Sequence, residues 1–326
     1  MRSQATASLN LRVSAVCMEA EDILSLKLAH PSGSSLPDAG PGAHITLQLN
    51  GGYLRQYSIC NNPITDGFYH IAVKREAESR GGSAAIHSLC EGDTISVRPP
   101  TNNFVLDRSA SHLILLAGGI GITPLLGMAK DAWSRRQSFE IHYFARDAQY
   151  AAFVNLLKES PFSDCVQFHF GVDLGEVWRS FEALLGKAPA KSQLYVCGPA
   201  GFIELARSMA KARENLSAVF WESFSSGTRQ LSDPAFGHEF KVKLAGTDQV
   251  FAVPSEKTVL QVLQENGVTI DSSCMEGVCG LCATRVLEGE PDHRDEVLTD
   301  SERREDKLMT VCVSRCKGEL IVLEVL

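Results

Sequence analysis

The spacing of hydrophobic positions changes along the chain. Up to about residue 100, apolar and polar side chains alternate in short runs separated by turn residues such as Asn50-Gly51-Gly52. This period of two predicts an antiparallel β-barrel. The predicted strands include 23–28, 45–49, 68–73 and 95–97.

From Leu113 the pattern becomes one of apolar strands alternating with helices, which predicts a parallel sheet in an α/β unit. The predicted strands are 113–116, 140–144, 166–170, 194–197 and 219–222. A third, β-rich unit follows Gly237, with a short helix from Thr258 that ends at Asn266-Gly267. Its predicted strands are 240–244, 250–253, 283–287, 309–313 and 320–325.

The chain is therefore predicted to be multidomain, with a barrel at 1–104, an α/β domain at 105–226, a linker at 227–237 and a β-rich domain at 238–326. The linker contains Gly227, Pro234 and Gly237, as expected between independently packed domains.

Composition narrows the classes of function. An apolar fraction of 44% suits globular domains, and a formal charge of −8 leaves no basic footprint for a nucleic acid or an anionic membrane. The apolar stretch 113–129 is broken by glycines and Pro124, and the N-terminus has no signal-peptide pattern. Ten cysteines without a secretory signal predict a reducing, cytoplasmic location and favour metal sites over disulfides.

Four cysteines have a diagnostic spacing. Three stand in C-x4-C-x2-C and the fourth follows at a distance, which is the plant-type spacing for a [2Fe–2S] cluster. They are Cys274, Cys279, Cys282 and Cys312. Gly277 and Gly280 would let backbone N–H groups approach the sulfurs. A structural zinc site and unrelated buried cysteines are the alternatives, and Cys316 does not fit the pattern. The C-terminal region resembles plant-type ferredoxins.

Two motifs in the barrel suit a flavin phosphate and ring. The run Arg55-Gln56-Tyr57-Ser58 supplies a cation, an aromatic face and a hydroxyl. The run Arg80-Gly81-Gly82-Ser83 precedes a predicted helix over 84–90, which Ser83 would cap with its N–H groups facing an anion. In this order, the motifs resemble the flavin domain of the ferredoxin–NADP reductase superfamily.

That resemblance implies roles for individual residues. Arg55 would bind the flavin phosphate, Tyr57 would lie against the isoalloxazine and Ser58 would lie near flavin N5. The backbone of Ala72, Val73 and Lys74 would edge the ring.

Two glycine-rich turns follow strands of the parallel sheet, at the edge where such sheets bind ligands. The first contains Gly118, Gly119, Gly121, Thr123 and Pro124, and the second contains Cys197, Gly198 and Pro199. Glycines there let a dinucleotide pyrophosphate approach the backbone. The pair resembles the pyridine-nucleotide domain of the same superfamily, which would place Cys197 beside the nicotinamide.

The order of barrel, nucleotide domain and ferredoxin resembles the phthalate dioxygenase reductase family over essentially the whole chain. The resemblance implies FMN, although FAD stays open from the residues alone. It also matches Glu222-Ser223-Phe224, where Phe224 would shield the flavin. Arg146-Asp147 follows the second strand of the sheet; Asp147 favours NADH, whereas Arg146 leaves NADPH open.

Together these parts predict electron transfer from NADH through FMN to the [2Fe–2S] cluster, because a flavin can receive an electron pair and release single electrons. Ser58, Cys197, Glu222 and Phe224 are the predicted catalytic residues. The family implies a Rieske-type terminal oxygenase as partner, acting on an aromatic acid or ether, and the chain is expected to be a monomer. A reductase for a cytochrome, quinone or oxygen, and a redox-sensing protein without turnover, are the alternatives.

Overall fold

The computed structural model describes residues 8–49, 54–76, 82–224 and 237–325. It divides into two compact units, residues 1–223 and 224–326. Arg80 and Gly81 of the predicted flavin turn lie outside the described residues, as do Gly227 and Pro234 of the predicted linker. Within the described ranges, no helix combines the length and apolar character needed to cross a membrane.

An antiparallel sheet of six strands forms the first part of unit one, in the order β4-β3-β6-β1-β2-β5. The two edge strands approach each other, because Cys60 N, two residues after β4, donates to His70 O on β5 at 2.8 Å. The alternating apolar residues fill the interior, where Leu26, Ile45 and Tyr69 are fully buried. The elements are β1 (Leu9–Ala20), β2 (Ile23–Ala29), β3 (His44–Gln48), β4 (Leu54–Ser58), α1 (Pro63–Asp66), β5 (Phe68–Lys74), α2 (Gly82–His87) and β6 (Thr94–Thr101).

The remainder of unit one has a five-stranded parallel sheet in the order β11-β10-β7-β8-β9, as the alternating pattern predicts. The stretch 113–129 becomes a buried strand, a 3-10 turn and the start of a helix. The elements are β7 (His112–Gly118), α3 (Ile122–Ser134), β8 (Ser138–Ala145), α4 (Val154–Lys158), β9 (Val166–Phe170), α5 (Leu174–Lys187), β10 (Ser192–Gly198), α6 (Ala200–Ala210) and β11 (Leu216–Ser223).

The two parts of unit one pack directly on each other. The rings of His70 on β5 and Phe153 before α4 meet edge to face at 5.4 Å. Glu21 N donates to Gln149 O at 3.0 Å. These contacts join the barrel and the parallel sheet into one body, so ligand-binding residues from both can share a site.

Unit two is built on a mixed sheet in the order β13-β12-β18-β14-β16 and a two-stranded ladder of β15 and β17. Thr258 caps its first helix through a reciprocal pair of hydrogen bonds with Gln261. The elements are β12 (Phe240–Leu244), β13 (Val250–Val253), α7 (Val259–Glu265), β14 (Ala283–Glu288), β15 (Pro291–Asp292), α8 (Asp300–Glu305), β16 (Leu308–Thr310), β17 (Arg315–Cys316) and β18 (Leu320–Glu324).

Two predicted local structures are wrong. The predicted strand 309–313 ends at Thr310, because Val313 N and Ser314 N both turn back to donate to Thr310 O. The predicted helix 84–90 instead spans Gly82–His87, so Ser83 lies within its first turn and is not its N-cap. The Ser83 hydroxyl accepts a hydrogen bond from Glu76 N at 3.2 Å.

Candidate functional site

The strand β4 places a cation and an aromatic ring at the edge of the barrel. Arg55, Gln56 and Tyr57 are half-buried on this strand, and Ser58 at its end is buried. Burial raises the pKa of Tyr57 to about 12, and the nearby Arg55 guanidinium opposes that shift. The phenol is therefore neutral near pH 7.

Gly82 and Arg55 pack closely across the barrel. A Cβ at Gly82 would lie 2.9 Å from Arg55 Cγ and 3.0 Å from Arg55 Cδ. Any residue other than glycine would therefore force the Arg55 side chain to move. The R-x-Y-S strand and the first residue of α2 are thus brought together, as a shared flavin site requires. In the same region, Ala72 and Val73 are buried on β5, and Lys74 Nζ lies 3.3 Å from Glu76 Oε1.

His87 is a neighbour of this site that the sequence did not single out. Its Nε2 lies 2.9 Å from Val73 O and donates to it. The carbonyl oxygen of Val73, which belongs to the backbone predicted to edge the flavin ring, therefore already accepts a hydrogen bond within the protein. No spacing motif marks His87, since the contact depends on how α2 packs on β5.

The two glycine turns meet at the carboxyl ends of β7 and β10. A Cβ at Gly198 would lie 3.0 Å from Gly118 Cα, and one at Gly121 would collide with the carbonyl of Cys197. Gly119 has φ of 56° and open space around the position of a Cβ. The two turns are therefore closely packed, with open space beside Gly119, and short glycine-rich turns at this sheet edge fit a dinucleotide pyrophosphate.

Neighbouring side chains support these turns. The Thr123 hydroxyl donates to Ile120 O at 3.0 Å, and Pro124 is buried in the first turn of α3. A Cβ at Gly118 would lie 2.9 Å from Pro199 Cδ and 3.2 Å from Phe202 Cδ1. Phe202 therefore shapes the junction, although no sequence motif indicates a role for it.

A buried polar group links the barrel to the parallel sheet. Cys197 pairs with Glu222 across β10 and β11, and the Glu222 carboxyl is hydrogen-bonded to the Ser58 side chain. Glu222 Oε2 is shielded from solvent and has no hydrogen-bond partner within the described residues. Such an orphaned oxygen fits a site completed by a ligand.

Burial sets the protonation of this group. It raises the pKa of Glu222 to about 8, with the Ser58 hydrogen bond acting in the opposite direction. Burial, and then the nearby Glu222 carboxyl, raise the pKa of Cys197 well above its usual value. A neutral carboxyl, a neutral thiol and a hydroxyl therefore lie together at pH 7.

The remaining predicted residues of this region lie at its margins. The Arg146 guanidinium lies over the Tyr150 ring at 4.1 Å, and Asp147 Oδ1 accepts from Gln149 N at 3.1 Å. Both directly follow β8, at the ligand-binding edge of the sheet. Phe224, the first residue of unit two, directly follows Ser223 in the chain and is 42% exposed.

The cysteine loop in unit two has no helix or strand between Glu265 and Ala283. Met275, Gly277 and Gly280 have φ between 63° and 74°, which folds the loop back on itself. A Cβ at Gly277 would lie 2.6 Å from Val313 Cγ2, so this glycine allows close packing. Glu276 N donates to Cys274 Sγ at 3.3 Å, as expected of backbone support for a sulfur ligand.

The four predicted ligands come together. Cys274 is hydrogen-bonded to the Cys279 and Cys312 thiols, and Cys312 also to Cys282. Across the described ranges, no three or more His, Cys, Asp or Glu side chains are arranged to hold one metal ion. Four thiols in such a connected row fit a cluster of two irons. The Cys316 thiol instead donates to Leu320 O at 3.5 Å.

Comparisons with known proteins agree with this arrangement. Residues 242–317 match the 2Fe-2S iron-sulfur cluster binding domain family. The chain is 40% identical over 317 residues to a vanillate O-demethylase oxidoreductase of Pseudomonas sp. (strain HR199 / DSM 7063), covering 96% of this chain and 98% of that relative.

Solved structures show the same similarity. A phthalate dioxygenase reductase, described as modular for electron transfer from pyridine nucleotides to [2Fe–2S], aligns with a TM-score of 0.71 and 35% identity over 98% of both chains. An intact type IV self-sufficient cytochrome P450 monooxygenase aligns with a TM-score of 0.83 and 35% identity over 99% of this chain. The chain spans only 43% of that larger protein.

Proposed function

Because the chain belongs to the phthalate dioxygenase reductase family, we propose that it carries electrons from NADH through FMN and a [2Fe–2S] cluster to a Rieske-type oxygenase. It is an oxidoreductase of the kind that serves oxygenase systems. The proposal rests on two sites. Unit one holds the paired glycine turns beside Ser58, Cys197 and Glu222, and unit two holds four neighbouring cysteine thiols.

The two parts of unit one would bind different ligands, the barrel the flavin and the parallel sheet the nucleotide. Arg55, Tyr57 and Gly82 would hold the flavin phosphate and ring, whereas the turns at Gly118 and Gly198 would hold the pyrophosphate of the nucleotide. A bound flavin supplies conversion of an electron pair into single electrons. Asp147, with its carboxylate held by Gln149 N, supports NADH as the nucleotide.

The neutral group beside these sites has a defined chemical role in the proposal. Glu222, whose pKa is about 8, holds a proton at pH 7 and keeps the junction uncharged. Ser58 fixes the carboxyl in place, and the backbone carbonyl of Cys197 packs against Gly121 of the first glycine turn. An uncharged, water-poor junction suits the transfer of hydride between two flat rings.

The proposal extends to the substrate of the partner oxygenase, the cellular compartment and the oligomeric state. The family context supports an aromatic acid or ether as the substrate of the partner oxygenase. None of the ten cysteines, all of which lie in the described ranges, forms a disulfide, which supports a reducing, cytoplasmic setting. We propose three functional domains and a monomer that docks with its partner through the cluster-bearing unit.

An anaerobic titration of the purified protein with NADH tests the proposal. Visible spectra should show flavin bleaching, and low-temperature EPR should show a rhombic signal from the reduced cluster. If NADH leaves both centres oxidised, the proposal fails and a redox-sensing protein without turnover becomes the better description.

One observation favours a second acceptor. Because 99% of this chain aligns with part of a self-sufficient P450, the same architecture also occurs joined to a cytochrome. A cytochrome acceptor is therefore the second candidate. Reduction of purified Rieske oxygenase and P450 proteins, compared at equal concentrations, separates the two.

A further inference from the structure

A buried carboxylate lies behind the cysteine loop. The Asp295 side chain is fully buried, and its Oδ2 accepts from Leu298 N at 2.8 Å. Such burial is costly for a charged group unless charges and hydrogen bonds compensate it. The position of Asp295 in unit two therefore calls for a specific role.

Asp295 is tied to the loop that carries three of the cysteines. Glu296 N, one residue further, donates to Gly277 O at 3.0 Å. A Cβ at Gly277 would lie 3.0 Å from Asp295 Cα and 3.1 Å from Asp295 Cβ. The Asp295 segment thus forms the backing against which the loop folds.

The same side chain reaches towards the fourth cysteine. Asp295 Oδ1 accepts from Ser314 Oγ at 3.4 Å, and Ser314 Oγ lies 3.1 Å from Thr310 Oγ1. Thr310 and Ser314 flank Cys312 on either side and are both fully buried. Asp295 consequently connects the loop cysteines to a ligand that is distant in sequence.

Two cationic or ionisable groups face Asp295. Arg303 Nη2 lies 3.6 Å from Asp295 Oδ2 and also donates to Asp295 O. His293 Nδ1 lies 3.7 Å from Asp295 Oδ1, and its Nε2 lies 3.1 Å from Asp306 Oδ1. The Arg303 side chain remains 33% exposed, so water screens its charge more than that of Asp295.

We propose that Asp295 is a positioning residue of the cluster, which joins the Cys274–Cys282 loop to the segment around Cys312. Together with Arg303, it also sets the electrostatic charge next to the cluster. The inference rests on the proposed cluster site. Reduction adds a negative charge to the cluster, so a fixed negative charge nearby opposes it and a fixed positive charge favours it.

A redox titration of the full-length protein, followed by EPR, tests this. At the potential where the wild-type cluster is half reduced, Asp295→Asn should raise the ratio of reduced to oxidised cluster about tenfold, which is about 59 mV for one electron. Arg303→Gln should lower the ratio by about threefold. Asp248→Asn, which removes an exposed carboxylate from the same unit, should leave it unchanged.

Loss of the cluster to a chelator gives a second measurement, and Asp295→Asn should accelerate it by about tenfold. Shifts in the same direction for Asp295→Asn and Arg303→Gln, or no shift in either, would overturn the inference. If the Asp295→Asn protein cannot retain a cluster, the Arg303→Gln variant alone tests the inference, through the direction in which it shifts the ratio of reduced to oxidised cluster. A wild-type protein without a rhombic signal would instead refute the proposed function.

Discussion

The nucleotide-side turns and the cysteine loop are two ligand sites built in opposite ways. The turns at Gly118–Thr123 and Cys197–Pro199 each connect the end of a buried, paired strand to the start of a helix. The neighbouring elements therefore fix the backbone of these turns. The cysteine loop spans residues 266–282 without a helix or strand, and Cys282 and Cys312 are themselves part of the hydrophobic core. We infer that the first site is preformed, whereas the second depends on what it binds.

Removing a ligand of the cluster should sharpen this comparison most. Cys312→Ser is expected to abolish cluster binding and electron transfer to a protein acceptor, and to destabilise unit two, because cluster binding contributes to folding there. Unit one should still reduce ferricyanide with NADH. Iron content, EPR and reduction of both acceptors measure these effects.

Cys316→Ser is the matched control, since its thiol contacts Leu320 O and stands outside the proposed ligand set. It should keep a full complement of iron. Equal losses in the two variants would show that the fold of unit two, and not the ligand set, had been disturbed.

A substitution in the preformed site should have a smaller but still large effect. At Gly121 an added methyl would meet the carbonyl of Cys197, and neither backbone can easily move because Cys197 lies on the buried strand β10 and Gly121 directly precedes the buried first turn of α3. Gly121→Ala should destabilise the protein by about 1–3 kcal/mol. It should also raise the KM for NADH by roughly tenfold by displacing the turn.

Gly201→Ala, on α6, provides the comparison, since a Cβ there meets nothing within 4 Å. Thermal unfolding and steady-state kinetics on both variants check the prediction. A KM unchanged by Gly121→Ala would mean that this turn does not contact the nucleotide.

Regular elements were easier to predict from the sequence than the contacts that build the sites. Strand Val166–Phe170 and the helix capped by Thr258 agree with prediction because local periodicity and capping chemistry determine them. Ser83 was misassigned because a Gly-Gly-Ser turn looks the same whether the serine caps a helix or lies inside it. Asp295 stands in a polar stretch without periodicity, and only tertiary packing shows that it is buried.

The buried carboxyl at the junction predicts a dependence on pH. Because burial raises the Glu222 pKa to about 8, the folded state binds this proton more tightly than the unfolded chain does. Stability from this group is therefore full below its unfolded value of 4.5 and is lost as pH rises through about 8. The decrease should amount to a few kcal/mol between these limits.

Glu222→Gln should remove that dependence, because the amide cannot ionise. Chemical denaturation at pH 5, 7 and 9 of wild type, Glu222→Gln and the exposed-site control Glu214→Gln provides the measurement. A slope that persists in Glu222→Gln would assign the effect to another group.

The smallest effect concerns the flavin side, where the obstacle is a flexible side chain. An added methyl at Gly82 would meet Arg55 atoms, which can swing away, and alanine favours a helix by up to about 1 kcal/mol over glycine. Gly82→Ala should therefore leave stability nearly unchanged while weakening FMN binding about tenfold, through displaced phosphate contacts. Gly186→Ala is its control, because a Cβ there would lie 3.7 Å from Arg213 Nη1, an ordinary contact. Fluorescence titration of the apoprotein with FMN gives the affinities, and equal affinities in the two variants would remove Arg55 from the proposed phosphate site.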